Sequence, residues 1–297
     1  RLLAPFVLCI ALLFSEAQAF TIAWLSDTQN YHNAYKPIFD GMTQWIADNR
    51  VALDIRFVFH TGDVVGSWKS EDQWRQARES MGILSNASIP FLTVCGNHDI
   101  GYRMNYANFL KYVLSLRPAS MSQEYGDTGS RYELFSANGR DYIFMGIAFS
   151  NRGPSEDEVN WINGVLRQYS SRDAIIITHS YLKKSAAYTT QGKAIFEKIV
   201  KANPNVFLVL CGHCRDISEK SVQLDDDGDG NPDRTVYAIL SNFQGSKAGG
   251  GGYMRILDFR DSDIYIYTYS PYYDSCEYPK GKTEATVPLP RLRYMAK

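Results

Sequence analysis

The sequence predicts an α/β fold in which two packed β-sheets carry helices on their outer faces. Three observations support this. Apolar strand-like runs end in polar residues, helix-period segments separate them as far as Gly212, and strand runs without long helices follow.

Phe20–Ser26 is the first apolar run, and Ile38, Met42, Trp45 and Ile46 then recur at helical spacing within Ile38–Asn49. Ile55–His60 reads as a strand, Glu71–Leu84 as a helix and Pro90–Cys95 as a strand. Tyr142–Phe149, Ala174–Thr178 and Val206–Cys211 repeat the strand signal. Between the first two, Ser155–Tyr169 opens with a Ser-Glu-Asp-Glu start that suits a helix N-terminus. Alternation of this kind implies a largely parallel sheet. After Gly212 come Ser218–Leu224, Thr235–Leu240, Tyr253–Phe259 and Asp263–Tyr269, for which a second sheet packed on the first is the economical arrangement. Ile264, Ile266 and Thr268 alternate with Tyr265, Tyr267 and Tyr269, as in a strand exposed on one face or packed between unlike layers. From Pro271 onward, Pro279, Pro288 and Pro290 predict an irregular strap.

The 297 residues are 45% hydrophobic, enough for one large core, so a single domain over 20–297 is expected. Thirty-one basic against 32 acidic residues argue against an extended nucleic-acid footprint. The apolar run Leu2–Phe14 and the small-residue Ala17-Gln18-Ala19 read as a signal peptide over 1–19. That predicts a mature chain from Phe20, secreted or periplasmic, without a transmembrane helix. Oligomeric state leaves no mark on the sequence.

Cleavage leaves Cys95, Cys211, Cys214 and Cys276, which allow three disulfide pairings. Cys95 and Cys211 end apolar strands and read as small buried hydrophobes. The C-x-x-C spacing of Cys211 and Cys214 lacks a thioredoxin-like context. Gly249–Gly252 lacks the Lys-Ser/Thr ending of a phosphate loop and reads as a turn, and Asn86-Ala87-Ser88 is a glycosylation sequon.

Five strand ends carry the chemistry: Leu25–Gln29 (LSDTQ), His60–Val65 (HTGDVV), Cys95–Asp99 (CGNHD), Ile177–Tyr181 (ITHSY) and Cys211–Arg215 (CGHCR). They place Asp27, Asp63, Asn97, His179 and His213 where open α/β sheets gather functional groups. Oxygen and imidazole ligands without thiolate suit Mn, Fe or Zn. Singly, each has an ordinary explanation as a cap, a turn former or a satisfied polar residue. Their joint occurrence after five apolar strands points to a metal site.

The order D-x-Q, GD, GNHD, H, then GH resembles the calcineurin-like metallophosphoesterase family, from Asp27 to at least Arg215. The resemblance implies a four-layer α/β/β/α sandwich of two mixed sheets and a metal-dependent phosphoric ester hydrolase. It further implies that Asp63 bridges two divalent metals, that Asp27 binds the first, and that Asn97, His179 and His213 complete the second. His98 would serve the leaving oxygen and Asp99 would orient its ring. Water activated by the metals would attack phosphorus in line.

Two departures fall on the first metal. Gln29 stands where many members have His, though it can offer a carbonyl oxygen, and Arg215 stands where another His would ligate. The expectation is an ordinary second site and a weaker or exchangeable first one, giving two metals or one. Arg215 could hold a substrate phosphate or merely sit on a surface loop. Tyr31, Trp68, Tyr102, Tyr181 and Tyr188 follow the motif loops, where they either stack on substrate or pack in the core.

The loop Asp225–Asp233 has the D-x-D-x-D-G spacing of calcium loops, with Asp225, Asp227, Asp229 and Asp233 as candidate ligands and Val236 at the twelfth position instead of Glu. Calcium binding and a plain solvated acidic hairpin are both open. The function expected is a secreted phosphoesterase acting on a phosphomonoester or phosphodiester. One rival is a non-catalytic extracellular binding protein with a degraded first metal site; another is a calcium-dependent module.

Overall fold

The computed structural model describes residues 19–101, 104–116, 123–278 and 284–290. All but the last residue of the expected signal segment, together with Tyr102 and Pro279, lies outside the described residues.

The first sheet contains β1 (Phe20–Leu25), β2 (Ile55–His60) and β3 (Phe91–Thr93). The second takes β4 (Gln123–Tyr125), β5 (Ser130–Ala137), β6 (Arg140–Ile147), β7 (Asp173–Thr178), β8 (Val206–Cys211), β9 (Asp216–Leu224) and β10 (Arg234–Asn242). The chain then returns to the first sheet with β11 (Met254–Phe259), β12 (Asp263–Tyr269) and β13 (Glu284–Pro288). The orders are β13-β12-β11-β1-β2-β3 and β4-β5-β6-β7-β8-β10-β9, and both sheets mix parallel and antiparallel pairs. The late strands therefore do not build a sheet of their own. They complete both sheets, since an apolar strand such as β1 must be paired on both sides.

The tail is also more regular than its prolines suggest. Ala285 and Val287 point into the core between the sheets while β13 pairs with β12, and Pro288 ends the strand on the sheet edge where its missing N–H does little harm.

Alternation along each strand separates the layers. Phe20, Ile22, Trp24, Phe57 and Phe59 face Phe144, Ile175, Ile177, Leu208 and Leu210 across the sandwich. Ala23, Leu25 and Val58 instead meet helices α1 (Lys36–Asp48) and α2 (Glu71–Asn86). On the far side, Ile143, Met145 and Ile176 pack against α5 (Glu156–Gln168) and α6 (Thr190–Ile195), the latter continuing as a π-turn over Phe196–Val200. Two short helices, α3 (Asn97–Ile100) and α4 (Ala107–Tyr112), lie after β3. The result is the α/β/β/α sandwich. In β12, Ile264 and Ile266 enter the inter-sheet core, whereas Tyr267 and Tyr269 pack toward α1, so this strand lies between unlike layers.

Local signals account for the helix starts. Ser70 and Ser155 accept from the backbone N–H groups of Gln73 and Glu158, caps that contribute about 1 kcal/mol each. Glu71, Asp72, Glu156, Asp157 and Glu158 occupy the first turns, where negative charge suits the helix dipole.

Registers place the functional loops. The last parallel pairs are Leu25 with His60, His60 with Thr93, and Thr178 with Cys211, so the five ligand loops leave from level strand ends. Among the described residues no helix is long and apolar enough to cross a membrane. Among the described residues Cys95, Cys211, Cys214 and Cys276 form no disulfide, and the first two are buried as small hydrophobes.

Candidate metal centre

The loops after β1, β2, β3, β7 and β8 converge at one end of the sandwich. His179 Nε2 lies 3.3 Å from Asp63 Oδ2, 3.1 Å from Asn97 Oδ1 and 3.2 Å from His213 Nδ1. Both oxygens of Asp27 accept the backbone N–H of His213 at 3.2 Å, and the Asp27 N–H donates to Gly62 O at 3.1 Å. Gln29 Nε2 donates to Asp63 Oδ2 at 3.2 Å. All six expected ligands are thus brought together.

Backbone conformation makes this possible at a cost. Asp27, Asp63 and His213 are left-handed, with φ of 51°, 54° and 70°, a region uncommon for residues other than glycine and often found at functional sites. The glycines of two motifs supply clearance: a Cβ on Gly96 would fall on Asp63 Oδ1, and one on Gly212 would fall on Asp27 Oδ2.

Residues to which the sequence assigned no role hold the ligands in place. Ser26 Oγ donates to Asp27 Oδ2 at 2.5 Å, and Thr61 Oγ1 donates to Ser26 Oγ at 2.8 Å. Trp24 Nε1 in turn donates to Thr61 Oγ1 at 3.2 Å. The Thr61 carbonyl lies 2.8 Å from His179 Nδ1 and can only accept, so Nδ1 carries a hydrogen and Nε2 faces the other ligands. His60 Nδ1 accepts from Gly62 N–H at 3.1 Å while Nε2 meets Thr28 Oγ1 at 3.0 Å, tying the two aspartate loops together. A hydroxyl or His flanking a motif Asp was the available sequence signal.

Charge in the centre is finely divided. Burial works against the Asp63 anion, but His179 beside it prevails and holds Asp63 below its ordinary value. Burial likewise opposes the His179 cation, yet Asp63 and Asp27 raise it to about 9. Asp27 rises to about 7, chiefly by burial. Burial lowers His213 to about 4 and His60 to about 3, with His179 adding to both.

The residues fit a divalent cation. Among the described residues, Gln29 Oε1 is buried without a hydrogen-bond partner, an acceptor left among acceptors. Asp63, His179 and His213 each offer one ligand atom within 4.8 Å of the others. Two imidazoles with carboxylate and carboxamide oxygens match the Mn, Fe or Zn class.

One expectation is corrected and one open alternative is resolved. Asp99 does not orient His98: its Oδ1 accepts from Val64 and Val65 N–H at 2.8 and 3.0 Å, and its Oδ2 from Gly96 N–H at 2.8 Å. It clamps the GD loop to the GNHD loop, and burial pushes it up to about 8 against those donors. His98 is oriented instead by Gly66 O, 2.9 Å from its Nδ1, which leaves Nε2 free. Arg215 is exposed and does not line the cavity over the centre; the cation there is Lys183.

The same cavity, about 620 Å³, is bounded by Trp68, His98, Phe149, Gln191 and His213. Of the described aromatics expected at the mouth, Trp68 lines it. Tyr31 and Tyr181 are buried in the core, and Tyr188 stacks on Phe196 beyond the rim. Buried Tyr31 accepts from Gly252 N–H, so the glycine run acts as a turn packed on the first ligand loop.

The acidic loop is a separate feature between β9 and β10. Carboxylate oxygens of Asp225, Asp227 and Asp229 lie within 4.8 Å of one another and are exposed. Asp233 stands outside that group and closes the hairpin by accepting from Asp226 and Asp227 N–H at 2.6 and 3.3 Å.

Comparison with known proteins agrees with this geometry. The family model for calcineurin-like phosphoesterases matches residues 20–214. The chain belongs to the calcineurin-like phosphoesterase family. An uncharacterized protein, YvnB, of Bacillus subtilis (strain 168) is 41% identical over 259 residues, which is 85% of this chain and 20% of that protein. The chain thus spans about a fifth of that relative's length. Among solved structures, GAP50, the anchor in the inner membrane complex of Plasmodium, has a TM-score of 0.60 at 14% identity, covering 93% of this chain and 90% of that one. Purple acid phosphatase PPD1 from yellow lupin has a TM-score of 0.57 at 12% identity, covering 92% of this chain and 54% of that one. At such identities these two show the fold.

Proposed function

We propose that this protein is a secreted phosphoesterase that hydrolyses a phosphoric mono- or diester by direct attack of water on phosphorus, without a covalent enzyme intermediate. The observation behind the reading is the convergence of Asp63, Asn97, His179 and His213 beneath a cavity whose lip carries His98.

When bound, divalent cations supply neutralisation of phosphoryl charge and acidification of water. Asp63, Asn97, His179 and His213 would hold one, and Asp27, Asp63 and Gln29 the other. The chain's own part is positional. The hydrogen bond from His98 Nδ1–H to Gly66 O points Nε2 outward, and from the doubly protonated ring the Nε2 proton goes to the leaving oxygen, leaving the neutral Nδ1–H imidazole. Trp68 and Phe149 give the cavity apolar walls that hold a substrate group and thin out water beside it. Secretion rests on Leu2–Phe14 and the Ala17-Gln18-Ala19 end of that segment.

The test is hydrolysis of p-nitrophenyl phosphate and bis(p-nitrophenyl) phosphate by metal-stripped protein with Mn, Zn or Fe restored. Asp63→Asn is expected to abolish turnover, and His98→Ala to lower kcat by roughly 10²–10⁴ with metal retained. Absence of turnover of both esters with every metal would overturn the reading. N-terminal sequencing of exported protein, expected to begin at Phe20, tests secretion.

A second reading, a binding protein on the same fold, draws on Arg215. Its exposed position leaves the first metal without a histidine from the last motif. One tightly held metal and no turnover would favour it.

A further inference from the structure

We propose that the substrate carries a second phosphate, bound by Lys183 and Lys193 in a groove that continues from the metal centre. The inference rests on the phosphoesterase reading and narrows its substrate class.

The cavity above the centre is joined by a second one of about 420 Å³, and the two share Lys183, Thr189 and Thr190 as a common wall. Lys193 lines only the outer part. Together they make one groove running away from His213 along the start of α6.

The wall is well fixed to the ligand loops. Lys183 follows directly on His179–Leu182, within a tight turn in which its N–H donates to Ala187 O at 2.7 Å and Leu182 bridges Tyr188. Thr189 N–H donates to Tyr181 O at 2.9 Å, and Ser180 Oγ donates to Thr189 Oγ1 at 3.1 Å. Lys193 N–H donates to Thr189 O at 2.9 Å, which joins this turn of α6 to the loop that follows His179. Its neighbour Tyr188 is stacked on Phe196.

Charge decides what the groove accepts. Lys184, next in sequence, is paired with Asp216 at 2.5 Å. Lys183 and Lys193 form no ion pair among the described residues. The acid on the groove wall, Glu197, is neutralised by Lys201 at 2.7 Å. Two lysines unpaired among the described residues, on a wall shared with Thr190, suit a dianion more than a carboxylate, since a phosphate monoester carries about −1.5 to −2 charge. Because the chain as a whole is nearly neutral, this is a local field and not a general basic surface.

The experiment compares the p-nitrophenyl ester of thymidine 5′-phosphate with the same ester bearing a 3′-phosphate. In the wild type the 3′-phosphate should raise kcat/KM roughly tenfold at low salt, through binding energy remote from the reacting bond. That ratio should fall toward one in K183A/K193A and as salt is added, and persist in K183R/K193R. A wild-type ratio of one, or a ratio unchanged in K183A/K193A, overturns the inference while leaving the phosphoesterase reading intact. If the wild type turns over neither p-nitrophenyl phosphate nor bis(p-nitrophenyl) phosphate with any metal, that reading fails and the inference with it; turnover of either of these with neither of the two thymidine esters hydrolysed overturns the inference alone.

Discussion

His213 Nδ1 lies 3.2 Å from His179 Nε2, and His179 has already committed its other ring nitrogen to the carbonyl of Thr61. Two imidazole nitrogens facing each other at this distance need a proton or a cation between them. In the metal-free protein Asp63 and Asp27 keep the proton on His179, and a divalent ion must displace it.

Metal binding should therefore release protons. At pH 7.5 the proton on His179, whose value is about 9, is displaced, so apparent affinity should rise with pH up to that value. Calorimetry in buffers of different ionisation heat measures the release. A binding heat independent of buffer would contradict it.

The metal-free fold should lose stability between pH 6.5 and 9. Folded Asp27, Asp99 and His179 hold protons to about 7, about 8 and about 9, which the unfolded chain, near 3.8 and 6.5, has released. Unfolding then releases protons, so stability falls as pH rises. His60 and His213, lowered to about 3 and about 4, act with the opposite sign, but only below pH 6.5. Tm of chelator-treated protein should drop from pH 6.5 to 9, and saturating metal should flatten that drop. A Tm that climbs over this range would refute the assignment.

Gly96→Ala and Gly212→Ala should each destabilise the fold by roughly 1–3 kcal/mol and cut metal affinity, because the added methyl must displace a ligand carboxylate. Gly82→Ala, in open space on α2, is the control. Equal metal affinity in all three variants would show the approach is not tight.

Asp99→Asn and His98→Ala should separate cleanly. Replacing Asp99 puts an amide where three backbone N–H groups donate, costing about 1–3 kcal/mol in denaturant midpoint. With metal restored, kcat should fall in His98→Ala but stay near wild type in Asp99→Asn, because Gly66 holds that ring. A loss of kcat in Asp99→Asn as large as in His98→Ala would restore the direct role that the resemblance implied.

Gln29→Ala should remove the weaker of two bound metals. Its buried Oε1 has no other partner, so dialysed protein should fall toward one equivalent by elemental analysis. Unchanged stoichiometry would mean that the carbonyl is not a ligand.

The architecture was legible because buried strands and amphipathic helices leave opposite periodicities, and because motif residues stand at strand ends. Asp27, Asp63, Asn97, His179 and His213 could be picked from that position alone. What escaped were facts of backbone direction. Nothing in D-T-Q or G-D announces a left-handed Asp, and the resemblance implied an Asp99–His98 contact that helix geometry denies, since neighbouring residues on a turn point apart. Strand order after Gly212 was likewise hidden, since hydrophobic alternation says which face is buried but not which sheet is joined.

The return of the chain to the first sheet has a bearing on synthesis. β1, which delivers Asp27, is flanked by β2 on one side and by β11, beginning at Met254, on the other. Until β11 has been made, the earliest strand presents an unpaired apolar edge, the kind of surface that invites aggregation. A polypeptide stopped at residue 214, where the family match ends, would hold every ligand yet lack three of the six strands of the first sheet. Ligands complete by His213 thus wait for the strands from Met254 to Pro288 before they can close around an ion.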